Sequence, residues 1–266
     1  MDVYTPARSV DFTDTGLWRL VIYISRKGMT SLLRHIEDAS QPLVRLFSVS
    51  WDVDDARLLS KIESTIYDNP RVLEDYATDI IVESRYVTWV PSRLVQEEEI
   101  EEEVFTSVFP TLSDTPMTDT AGDLTALFSL TAGLSAFIGR TIPGARVRSH
   151  LTVLADYLRN ITGDSPAVYA DIRENEVDIL LFHNRKMLAA VTHDFSAVSD
   201  IGYRIFQLLD TYNVNPAEAT VSLSGKEENV SELSAILSPY CREVGMTPLP
   251  VDSADNIPAA AAIAAG

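Results

Sequence analysis

The 266-residue chain is poor in several residue types, and each shortage excludes something. It has one cysteine, Cys241, so no intrachain disulfide can form, and a reducing compartment suits it. No histidine or metal-ligand partner lies near Cys241 in sequence, so it reads as a half-buried structural thiol rather than a nucleophile. Cations are scarce too: 21 Lys and Arg stand against 39 Asp and Glu, a formal charge of −18. That balance argues against nucleic acid, whose binding rests on Lys and Arg displacing counterions at phosphates. It also disfavours anionic membrane surfaces. A basic protein partner is compatible with it, although solubility alone explains it. Long apolar runs are missing. The longest, Ile257 to Ala265, is far short of the roughly 18 residues that spanning needs. Met1 to Val10 lacks the apolar core of a secretory signal. A cytoplasmic protein without membrane insertion is expected.

Catalytic signatures are thin as well. The four histidines, His35, His150, His183 and His193, form no HxH or HExxH spacing, so no metal site is expected. Neither G-x-x-x-x-G-K-[ST] nor G-x-G-x-x-G occurs, and Ser224-Gly225 is not a G-x-S-x-G elbow. No Ser-His-Asp set can be nominated. Asp171, Asp178, Asp194 and Asp200 form a loose acidic set around strand ends. The plainer reading of Asp171 is a turn residue closing a strand.

What is present is the material of a soluble globular protein: 46% apolar and 23% charged residues. Strands are expected at 18–24, 29–35 and 43–49, with turns at 25–28 and 40–42. Asp52 is a candidate N-cap for a helix whose stripe is Leu58, Leu59, Ile62 and Ile66, bounded by Pro70. Strands at 79–82 and 86–90 follow, the second stopped by Pro91. The acidic run Gln96 to Glu103 starts a helix after Ser92. Its packed face would be Ile100, Val104 and Val108, with the glutamates solvated. Residues 110–122, rich in Pro, Thr and Asp, read as a loop. A strand at 123–130, a helix at 131–140, a strand at 145–148 and a helix at 150–161 come next. Gly163-Asp164-Ser165-Pro166 is the candidate boundary, giving halves 1–165 and 166–266.

After Pro166 the opening order recurs. A strand, Ala167 to Asp171, leads to a hairpin, Val177 to Phe182 and Met187 to Val191. A helix from about Asp200 to Tyr212 and a strand ending in glycine, Val221 to Gly225, follow. The final helix begins at Asn229, with Glu232 three residues on as in a capping box. Its stripe is Val230, Leu233, Ile236, Leu237 and Tyr240. Hairpins followed by helix crossovers imply an α/β (mixed α+β) fold, with mixed sheets flanked by helices.

This order resembles the actin-like ATPase superfamily of actin, sugar kinases and heat-shock ATPases, and is nearest in flavour to its pilus-assembly and cell-division members. In that family a phosphate loop reads as an acid, an aliphatic residue, a glycine and small hydroxyl residues. The matching stretch here is Asp171-Ile172-Arg173-Glu174-Asn175-Glu176-Val177-Asp178. The family's adenosine loop ends a strand with Ser-Gly-Gly, and here the residues are Leu223-Ser224-Gly225-Lys226. A closing proline and small-residue helix match Ile257-Pro258 and the alanines to Gly266. With Thr88-Trp89-Val90-Pro91, the whole chain further resembles a bacterial family of unknown function that has this fold. The resemblance implies two ribonuclease-H-like halves around a cleft. If nucleotide binds, Asp171, Ser224 and Gly225 would touch it.

The departures weigh against phosphate chemistry. A phosphate turn needs glycine so that backbone N–H groups can approach the anion. Arg173 stands at that position, and Glu174 and Glu176 would repel a triphosphate. In the first half the equivalent loop is Tyr23-Ile24-Ser25-Arg26-Lys27-Gly28. There Tyr23 or Ser25 replaces the acid that would hold a magnesium-bound water. Lys226 replaces the second glycine of the adenosine loop. The leading expectation is therefore an acidic pseudo-ATPase: a non-catalytic scaffold or protein-interaction module, needing no cofactor and meeting a protein partner in the cleft or along residues 96–109. The alternative is a divergent ATP-binding protein, an ATPase or a sugar-kinase-like phosphotransferase, using ATP and Mg. A third reading is a metal-dependent nuclease built on Asp171 and Asp194.

Overall fold

The computed structural model describes residues 14–38, 43–98, 100–112, 115–250 and 257–266. The expected turn at 40–42 and the N-terminal ten residues lie outside that range. The described chain divides into two compact units. The first runs to Val153 and takes back Ala260–Gly266, and the second is Leu154–Ala259.

The first unit begins with β1 (Trp18–Ile24), β2 (Gly28–His35) and β3 (Val44–Ser50), and then α1 (Asp55–Tyr67) and β4 (Ala77–Val82). An insertion follows: β5 (Val87–Pro91), α2 (Ser92–Glu98), α3 (Glu101–Val108), β6 (Met117–Ala121) and β7 (Leu124–Phe128). Next come α4 (Leu134–Thr141), β8 (Arg146–Ser149) and α5 (His150–Ile161), within which the division between units falls. The main sheet has the order β3-β2-β1-β4-β8. β1, β2 and β3 pair antiparallel, while β1–β4 and β4–β8 are parallel. Strand side chains alternate between faces. One face, with Leu20, Ile22 and Ile24, packs against Leu58, Ile62 and Ile66 of α1 and against Leu134, Phe137 and Ile138 of α4. The insertion forms its own sheet, β5-β7-β6, with a small core of Val90, Phe105 and Leu127.

The second unit contains β9 (Ala167–Ile172), β10 (Glu176–His183), β11 (Lys186–Asp194), α6 (Val198–Thr211), β12 (Thr220–Gly225), α7 (Glu227–Leu237) and β13 (Glu243–Met246). Its sheet order is β11-β10-β9-β12-β13, with the same alternation of antiparallel and parallel pairs. Val168, Ala170 and Ile172 of β9 pack with Ile201, Ile205 and Leu209 of α6 and with Val230, Leu233 and Leu237 of α7. Cys241 closes this core. In the last helix, α8 (Ala259–Ala264), the alanines from Ala259 to Ala262 are almost wholly buried. The fold is therefore the expected mixed α/β arrangement, with one architecture used twice.

Several local expectations are corrected. The cap of α1 is Asp54, which accepts from the Arg57 amide at 3.0 Å, whereas Asp52 pairs with Lys27 at the surface. Pro91 is the last residue of β5 rather than a stop before it. The acidic segment is two helices, α2 and α3, and Phe105 rather than Val108 carries the packing. Val108 is 49% exposed. Within 110–122, residues 117–121 are the strand β6. α7 starts two residues before Asn229, and its N-cap, Lys226, makes no side-chain capping bond. β13 was not anticipated: it is an exposed edge in which only Val244 is partly covered.

Candidate functional site

The residues singled out by sequence meet at one end of the second unit's sheet. β9 and β12 run parallel, so their C-terminal ends lie side by side, with Ser224 opposite Asp171 and Gly225 opposite Ile172. The Ser224 hydroxyl donates to Asp171 Oδ1 at 2.6 Å. Asp171 is half-buried and Ser224 is buried. Gly225 has φ +131°, and a Cβ there would overlap the Ile172 carbonyl oxygen. Strand pairing alone therefore requires glycine at 225.

The β9–β10 hairpin places Asp178 opposite Asp171, and the β10–β11 ladder places Thr192 opposite Asp178. This row lies on the face turned away from α6 and α7, because the alternate positions supply the core. Asp178 is wholly buried. Arg173 reaches back to it from the turn. Nη1 donates to Asp178 Oδ2 at 2.5 Å and Nη2 to Oδ1 at 3.3 Å. Nη2 also donates to Glu176 Oε2 at 3.3 Å. The Thr192 hydroxyl donates to Asp178 Oδ1 at 2.6 Å. The Arg173 amide closes the turn on the Glu176 carbonyl at 2.9 Å. A bidentate guanidinium–carboxylate pair with a further hydroxyl donor satisfies a buried charge well. Glu174 and Asn175 are exposed at the tip.

The first unit has the equivalent row in neutral form. Tyr23 lies opposite Thr30, and Thr30 opposite Ser48. The Thr30 and Ser48 hydroxyls are 3.0 Å apart, and the Tyr23 hydroxyl donates to Glu83 Oε2 at 2.6 Å. The turn is closed by the Ser25 amide on the Gly28 carbonyl at 2.9 Å. Arg26 and Lys27 at its tip pair with Asp55 at 2.8 Å and Asp52 at 3.3 Å, in the open. Exposed pairs of this kind contribute about 0–1 kcal/mol.

Other candidates disperse. His183 faces Lys186 and His193 faces Val177, at opposite ends of one hairpin. Burial holds the His193 imidazole below its ordinary pKa, and Arg204 adds to this while Asp194 opposes it. Asp194 faces Glu176 across the ladder rather than Asp171. Asp200 accepts from the Ser196 and Ala197 amides at 3.0 Å each, at the start of α6. Those bonds hold its carboxyl below the usual range. Burial pushes the Cys241 thiol up, so it is a poor thiolate source. Among the described residues, no group of three or more His, Cys, Asp or Glu is arranged to hold a metal.

Sequence reasoning missed Asp119, which lies in the stretch expected to be a loop. It is 7% exposed, accepts from Arg148 Nε at 3.2 Å and from the Ser149 amide at 3.2 Å, and so ties β6 to the end of β8. Burial pushes its carboxyl up, opposed chiefly by Arg148.

Residues 9–244 match the model of one protein family. The chain belongs to that family, DUF3822, a protein of unknown function. The DUF3822 chain is also similar to solved structures. One is a Bacteroides thetaiotaomicron protein with an actin-like ATPase fold and unknown function, at TM-score 0.80 and 20% identity, covering 90% of this chain and 94% of that one. Another is a PilM-PilN type IV pilus biogenesis complex, at TM-score 0.55 and 12% identity, covering 92% and 96%. A search of curated proteins finds no match. This DUF3822 protein has the actin-like ATPase fold. Among its described residues, no helix is long and apolar enough to cross a membrane.

Proposed function

We propose that this protein is a non-catalytic actin-like protein, a scaffold or protein-interaction module that has lost ATP hydrolysis. The carrying observation is the second unit's hairpin turn. Its one cation, Arg173, is bound to Asp178 and Glu176 rather than offered to an anion. Glu174 stands at the tip, where a phosphate would approach. The functional halves are proposed as 1–165 and 166–266, so that each five-stranded sheet falls wholly within one half. A protein partner is supported by one structural neighbour being a PilM-PilN complex. The net charge of −18 suits a basic partner surface.

Thermal unfolding with and without millimolar Mg-ATP and Mg-ADP tests this reading. A ligand that binds only the native state adds about 2.7 kcal/mol at a hundred times its dissociation constant. The expected result is no shift in melting temperature. A shift in the wild type that disappears in Asp171→Ala would overturn the proposal. It would favour the second reading, a divergent ATP-binding protein. The observation behind that reading is the Asp171–Ser224 pair beside Gly225 at adjacent parallel strand ends.

A further inference from the structure

The two hairpin turns occupy the same place in the same strand order, yet only the second has a buried carboxylate in its row. At the position of Thr30 the second unit has Asp178, and at the position of Ser25 it has Arg173. A wholly buried carboxylate is costly to desolvate unless a cation and further donors satisfy it. Three carboxylates, Asp171, Glu176 and Asp178, lie along this end of the sheet, and two hydroxyls, Thr192 and Ser224, donate into it. The Arg173 side chain is 15% exposed and that of Glu176 14%, so the pairing is largely shielded from water. The planar fork of Arg173 meets both Asp178 oxygens, which a point cation would not match.

We propose that this strand end is a guanidinium-binding site whose resident ligand is the protein's own Arg173, a latch that keeps the β9–β10 turn folded onto its sheet. The inference deepens the non-catalytic reading and rests on it: a turn latched from below cannot rearrange around a phosphate. The latch is formed by the residue that stands where a phosphate turn needs glycine. Its function is instead to be bound.

Chemical rescue tests the latch in the full-length chain. Arg173→Ala is expected to melt at least roughly 5 °C lower than the wild type, because it leaves Asp178 buried without its cation. Methylguanidinium at millimolar concentration should raise the melting temperature of Arg173→Ala. The same salt should not raise that of the wild type, and methylammonium should recover less. A melting temperature equal to wild type, or equal responses to methylguanidinium in both proteins, would overturn the proposal. If Arg173→Ala does not fold, the double variant Arg173→Ala/Asp178→Thr decides, because it removes the buried charge and borrows the residue type of Thr30. The double variant should recover most of the loss, and a double variant no more stable than the single would also overturn the latch. Nucleotide binding by the wild type would instead overturn the non-catalytic reading, and it is measured separately.

Discussion

The two units solve one geometric problem with different chemistry. In each, a central strand is flanked by an antiparallel hairpin on one side and parallel strands on the other. In each, a row of polar side chains crosses three strands on the face opposite the helices that form the core. The first unit fills the row with Tyr23, Thr30 and Ser48, all neutral, and leaves two cations at the turn tip in solvent. The second fills it with Asp171, Asp178 and Thr192 and draws its cation inward. A neutral row tolerates partial hydration and imperfect pairing. A charged row does not, and it commits every neighbour to satisfying it. The same topology therefore gives one permissive strand end and one fixed one.

Substitutions made in parallel should sharpen that contrast. The largest effect is expected at the strand-end glycines. Gly225→Ala combines a left-handed φ with overlap on the Ile172 carbonyl, each costing about 1–3 kcal/mol. Gly28→Ala overlaps the Val49 carbonyl without a left-handed φ, so it should lose roughly half as much in urea unfolding. Equal losses would show that backbone strain at 225 has been relieved elsewhere. Next come the hydroxyls of the rows. Thr192→Ala removes a donor to a buried carboxylate and should cost about 1.5–3 kcal/mol. Thr30→Ala removes a neutral contact and should cost about 0.5–1.5 kcal/mol. A Thr30→Ala loss as large as that of Thr192→Ala would end the distinction between neutral and charged rows.

The smallest effect concerns the helix that follows each hairpin. α1 is capped by Asp54 from its own N-cap position, and α6 by Asp200 reaching back to two amides. The folded pKa of Asp200 lies below its unfolded value near 3.8. Its contribution is therefore present above that value and lost as the pH falls through the folded pKa. The stability difference between wild type and Asp200→Ala should be constant from pH 5 to 7 and shrink below about pH 3.8. A difference that persists unchanged at lower pH would mean the bonds to Ser196 and Ala197 do not depend on charge.

Much of this was legible in the chain. Val168, Ala170 and Ile172, or Leu58, Ile62 and Ile66, announce their elements because the apolar period matches the burial. Asp171, Ser224 and Gly225 were nominated through the family resemblance, and the adjoining parallel ends of β9 and β12 are what brings them side by side. The illegible parts share a physical cause. β6 alternates correctly, but one of its inward positions is Asp119, so no apolar period betrays it. What satisfies Asp119 is Arg148, 29 residues later. The edge strand β13 is likewise set by its pairing with β12 rather than by local pattern. The role of Arg173 was hidden most deeply. A cation in a turn looks the same in sequence whether it faces solvent, as Arg26 does, or folds beneath its own strand.

The C-terminal alanine helix has a consequence for how such a chain is made. Ala260–Gly266 complete the first unit, although they are synthesised after the second. A nascent chain leaving the ribosome thus holds every residue of the second unit before it holds the last piece of the first. Domains that fold during synthesis usually do so from the N-terminus onward. Here the order of completion is reversed, and the earlier-made unit waits, unfinished, until residues 260–266 have been made.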